Sequence, residues 1–167
     1  MAVTRVLRWL APLLISAILI ALAPSAAASS GPAVRGGGVV GGLPGATSQL
    51  GFTATNSGGS FLCVMAGRSG KFLFGPWQSI QQMHVQGRVT PGSLSISGGV
   101  ATFSGTATIH VVGTTLTGRL TMTLSDVPFV STQAAGGAGV AWHLLEVSGV
   151  GAFGPEKMKS GHITIWP

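Results

Sequence analysis

Few side chains in this 167-residue sequence are equipped for chemistry. The carboxyl groups are Asp126, Glu146 and Glu156, the imidazoles are His84, His110, His143 and His162, and the one thiol is Cys63. Glycoside hydrolysis needs two carboxyl groups flanking a bond. Asp126 and Glu156 stand beside prolines in expected loops, and Glu146 falls on an expected solvent face, so no paired site is expected. Calcium, which recruits several carboxylates, is disfavoured for the same reason. No two histidines are spaced i, i+2 or i, i+4, and His-Glu-x-x-His is missing. His84 and His110 fall on polar faces by parity and read as surface residues, although neighbouring strands are able to bring two imidazoles together as a weak zinc site. Gly-x-Ser-x-Gly does not occur, which leaves serine catalysis without its usual nucleophile turn. Gly36-Gly37-Gly38 is followed by no Lys-Ser/Thr pair and is not a phosphate loop. Cys63, inside Phe61-Leu62-Cys63-Val64-Met65, reads as a small buried hydrophobe. The expectation is a non-enzymatic protein with no catalytic residue, no metal site and no cofactor.

Binding is less easily set aside. Trp77, Trp142 and Trp166 are candidates for stacking on sugar rings, and the Ser/Thr/Gln faces are suited to hydroxyl groups. Against this, tryptophan is usually well buried, and the chain has no tyrosine, a common recognition residue. Thr106-x-Thr108 and Thr121-x-Thr123 resemble the threonine ladders of ice-binding solenoids, but two copies are too few for such a surface. The net charge is +6. The basic residues Arg35, Arg68, Lys71, Arg88, Arg119, Lys157 and Lys159 are scattered, so nucleic acid is not an expected partner.

The first 28 residues read as a signal peptide. Arg5 and Arg8 supply a positive start, Trp9 to Ala23 is apolar apart from Pro12 and Ser16, and Pro24-Ser25-Ala26-Ala27-Ala28 presents small residues for cleavage after Ala28. As a helix the apolar stretch covers about 22 Å, short of the ~30 Å hydrocarbon core. Secretion is expected, with tethering to a membrane by an uncleaved signal as the alternative. Residues 29–48, rich in Gly, Ser and Ala, read as a leader that joins the fold late. Residues 49–167 read as a single domain.

What must position these residues is a set of strands. Met83, Val85, Gly87 and Val89 alternate with His84, Gln86, Arg88 and Thr90. After Pro91-Gly92, Leu94 and Ile96 point inward, and Gly98-Gly99 forms a tight hairpin turn. Ala101, Phe103, Gly105, Ala107 and Ile109 alternate with Thr102, Ser104, Thr106, Thr108 and His110. Leu116, Gly118, Leu120, Met122 and Leu124 alternate with Thr117, Arg119, Thr121, Thr123 and Ser125. Period-two alternation over this length excludes an amphipathic helix and describes strands with one face in a core. Val127–Ala138 and Gly149–Ser160 read as loops. The expected fold is all-β: an antiparallel β-sandwich or open barrel of about 7–9 short strands after the signal-peptide helix.

Two segments resemble a small secreted bacterial domain, the post-COAP-like exported proteins. The first is Gly87-Arg88-Val89-Thr90 with Leu94-Ser95-Ile96-Ser97-Gly98-Gly99-Val100-Ala101-Thr102-Phe103-Ser104-Gly105-Thr106-Ala107-Thr108. The second is the ending Ser160-Gly161-His162-Ile163-Thr164-Ile165, and Gly51-Phe52-Thr53-Ala54 is a weaker third. The resemblance covers less than a third of the chain after residue 28. It implies a secreted all-β domain and brings no activity. Of that group's acidic stretch after the long central strand, only Asp126 is kept, so an ion-binding role there is not expected. The functional expectation is a structural or interaction module at the cell envelope or outside the cell. A carbohydrate-binding module is the alternative, and a small secreted hydrolase a more distant one.

Overall fold

The computed structural model describes residues 31–41, 46–69 and 76–167. The signal segment, and with it the expected cleavage after Ala28, lies outside the described residues. Among the described residues ten strands follow one another: β1 (Ala33–Gly41), β2 (Ala46–Thr55), β3 (Gly58–Ser69), β4 (Ser79–Val89), β5 (Ser95–Ser97), β6 (Val100–Thr115), β7 (Gly118–Ala134), β8 (Gly136–Gly137), β9 (Trp142–Val147) and β10 (Gly151–Trp166). Eight of them form an antiparallel ring in the order β1-β2-β3-β4-β6-β7-β9-β10, and β10 pairs back onto β1. β5 adds to β6, and β8 adds to β10. The described residues therefore form a closed barrel, neither a sandwich nor an open barrel, in which each of the eight strands is paired on both sides over part or all of its length.

The alternation read from the sequence becomes the inside and outside of this barrel. Met83, Val85 and Val89 of β4 and Ala101, Phe103, Ala107 and Ile109 of β6 are all buried. Phenylalanine rings pack in the middle: Phe61 stacks on Phe129 at 5.0 Å, and Phe103 meets Phe52 at 5.6 Å and Phe61 at 6.2 Å between centroids. Gly87 and Gly105 make room for them. A Cβ on Gly87 would come within 2.6 Å of the Phe129 ring, and one on Gly105 within 2.9 Å of it.

Several expectations are corrected. Much of the stretch read as a leader is β1, which sits between β2 and β10 and closes the ring. Glycine is poor in strands as a rule, which hid it. Here a Cβ on Gly36 would lie 2.8 Å from Ile163 and 3.0 Å from Phe52. Val127–Ala134 is not a loop, because β7 runs straight through it. Pro128 is tolerated because the β9 ladder begins at Phe129, one residue further on. Gly151–Ser160 is likewise strand, with Pro155 accommodated at a bulge between Phe153 and Glu156. Leu116 and Leu120, expected inside, are 87% and 38% exposed. Among the described residues no strand pairs with the outer edge of Gly118–Val127, so this end of the β6–β7 hairpin has no second neighbour to bury it.

Candidate functional site

The chemistry-bearing residues divide between the inside of the barrel and one outer face. Inside, Gln133 of β7, His143 of β9 and Glu156 of β10 are successive register partners. All three are fully buried. The bulge at Gly154-Pro155 is what turns Glu156 inward. With unbroken alternation from the buried Phe153, residue 155 would face in and Glu156 would face solvent.

The Gln133 side-chain amide donates to Ser131 Oγ at 2.7 Å and to His143 Nδ1 at 2.7 Å. An amide nitrogen only donates, so Nδ1 accepts and the neutral ring carries its proton on Nε2. Burial holds the His143 pKa down at about 4, so the ring is neutral. Across the row, Ser48 Oγ donates to Glu156 Oε1 at 3.2 Å. Burial raises the Glu156 pKa, and the Ser48 hydrogen bond and the Lys159 charge oppose that rise. Cys63 belongs to the same region. Burial pushes its thiol up, the Glu156 charge adds to this, and Ser48 works against it. A thiol so held is not a nucleophile. Among the described residues, His143 Nε2, Gln133 Oε1 and Glu156 Oε2 have no hydrogen-bond partner. The row thus offers a donor at His143 Nε2, an acceptor at Gln133 Oε1, and at Glu156 Oε2 an atom that accepts when the carboxyl is ionised and donates when it is protonated, all at fully buried positions.

Outside, β3, β4 and β6 carry an open groove of about 620 Å³, lined in part by Ser60, Gln86, Arg88, Thr106, Thr108 and Asp126. Its floor is built from cross-strand rows, Ser60–Arg88–Thr106 and Gln86–Thr108. Asp126 is held at φ 55° where the β6–β7 ladder shifts register, a backbone that Asp tolerates better than most residues. The volume is within the usual range of ligand sites. The next row along the same face holds His84 opposite His110, with ring centroids 6.1 Å apart.

The three tryptophans named from the sequence are not brought together. Trp77 is 4% exposed, and a Cβ on Gly113 would lie 2.8 Å from its ring. Trp142 is half-buried opposite Lys157, and Trp166 lies nine residues further along β10, opposite Ala33. Trp166 is 39% exposed, with the Arg35 guanidinium over its ring at 4.9 Å. The three carboxyl groups are dispersed as well: Asp126 in the outer groove, Glu146 on the outer face of β9, and Glu156 inside. Among the described residues no three His, Cys, Asp or Glu side chains gather in a metal-binding group, and no helix is long and apolar enough to cross a membrane.

All three residues of the inner row escaped the sequence reading: Gln133 lies in the stretch read as a loop, and the other two were missed for different reasons. His143 shares parity with Ala141, Leu145 and Val147, all buried, so its burial was available in the alternation of β9. Glu156 was hidden, because only the bulge reverses its facing.

Together these features define a closed antiparallel eight-stranded β-barrel with a hydrogen-bonding row inside and an accessible polar groove outside. Comparison of the chain with protein-family models, with curated proteins and with solved structures finds no match.

Proposed function

We propose that this protein is an exported, non-enzymatic interaction module that holds hydroxyl-rich material of the cell envelope or its surroundings in the β3–β4–β6 groove. The observation that carries the reading is the groove itself. Two opposite charges, Arg88 and Asp126, stand among hydroxyl and amide side chains on a rigid sheet, open to solvent. Such a surface donates and accepts hydrogen bonds side by side, which suits a polyhydroxylated polymer. The carbohydrate reading therefore moves from tryptophan stacking to polar contacts.

The test is retention of the purified protein on cell-wall polysaccharides and envelope extract. Arg88→Ala combined with Asp126→Asn, which keeps the backbone tolerance at residue 126, is expected to weaken retention about tenfold, ~1.4 kcal/mol. Retention unchanged by the double substitution, or no retention by the original protein, overturns the proposal.

A further inference from the structure

We propose that His84 and His110 form a two-histidine site for a divalent transition-metal ion on the outer face of the barrel, independent of the groove reading. The two residues are direct partners on the antiparallel strands β4 and β6. Their inward neighbours Val85 and Ile109 are fully buried, so both imidazoles project from the opposite, solvent face. Directly opposed residues have Cβ atoms about 4.5–5.5 Å apart. The rings stand 6.1 Å apart between centroids with 40° between their planes. Two imidazoles chelating one ion through nitrogens at 2.0–2.1 Å bring their centroids to about 5 Å at a tetrahedral angle. Closing that gap takes a movement of about one ångström, which a rotation of the half-buried His84 ring supplies while His110 keeps its hydrogen bond to Thr123.

A second observation concerns the ligand orientation. His110 Nδ1 lies 2.9 Å from Thr123 Oγ1, on the next strand of the same cross-strand row. With Nδ1–H donating to that hydroxyl, Nε2 carries the free lone pair. A hydrogen bond on the non-coordinating nitrogen is the arrangement that fixes the tautomer and aim of metal-binding histidines. Both ligands sit on strands paired on either side, β4 between β3 and β6 and β6 between β4 and β7, so the backbone of the site is rigid before an ion arrives. The described residues supply no third His, Cys, Asp or Glu to the pair. Water, or a donor from a bound molecule, completes the coordination. Borderline ions that favour imidazole are the class expected, with copper(II) held more tightly than zinc.

The experiment titrates the purified protein with zinc chloride alone, followed by the ring resonances of its histidines, and then with copper sulfate by calorimetry. The ring signals of His84 and His110 are expected to move together and saturate at one ion per chain, while those of the exposed His162 on β10 stay in place. His84→Ala and His110→Ala are each expected to weaken binding at least about tenfold. Thr123→Val is expected to weaken it as well, within the ~10–100-fold range seen for second-sphere partners. His162→Ala is the control and leaves affinity unchanged. An unaltered circular dichroism spectrum shows that each variant keeps its fold. Shifts at all exposed histidines alike, or affinity indifferent to loss of either His84 or His110 in a folded variant, overturns the site.

Discussion

At the scale of single residues, the inner row makes stability depend on pH in two opposed ways. The His143 pKa falls from 6.5 to about 4 on folding. Between those values the unfolded chain binds the proton and the fold does not. The stability linked to His143 is complete above pH 6.5 and is lost as pH falls toward 4, by about 3 kcal/mol in all. Glu156 acts in the other direction. Its pKa is raised above 4.5, so the fold keeps a proton that the unfolded chain has released, and stability is lost as pH rises through the folded value. Urea midpoints across the range are expected to show both limbs. His143→Gln flattens the acid limb and Glu156→Gln the limb lost as pH rises. A glutamine at 143 that leaves the acid limb unaltered refutes the burial argument for that ring. The parity of β9 makes the position of His143 readable from sequence. The position of Glu156 depends on one bulge, which parity does not register.

At the scale of elements, that bulge is where sequence and structure part most sharply. Pro155 and the neighbouring glycine read as a loop because both residues are poor in regular strands. In the barrel they end one run of alternation and begin another, and the strand continues on either side. Gly154 has φ 118°, and a Cβ there would lie 2.6 Å from the His143 carbonyl and 3.0 Å from the Glu156 amide. Gly154→Ala is therefore expected to cost about 1–3 kcal/mol, read as a lowered urea midpoint. A midpoint equal to that of the original chain means that the bulge tolerates a side chain, and that this account of how Glu156 is turned inward is wrong. By contrast β6 and the Met83–Val89 part of β4 were legible almost residue by residue. Their alternation is unbroken through the middle of the ring, and their inward side chains belong to the buried apolar core.

At the scale of the whole molecule, the barrel depends on its least strand-like segment. β1 carries Gly36, Gly37 and Gly38, yet it pairs with β2 on one side and β10 on the other and buries Val34 and Val40. Removing residues 33–41 exposes two long edges and opens the core. Such a chain is expected to lose its cooperative thermal transition by circular dichroism and to elute as aggregates in gel filtration. A cooperative monomer would show that the ring closes without β1. By itself the sequence determined the all-β character, the inward set of β4 and β6, and the scarcity of catalytic groups. These follow from local alternation and composition, which need no knowledge of partners. Closure of the ring, the inward Glu156, the groove between Arg88 and Asp126 and the meeting of His84 with His110 were decided only by the tertiary structure. Each depends on which strands lie side by side and in what register, and pairing between distant segments leaves no periodic trace along the chain.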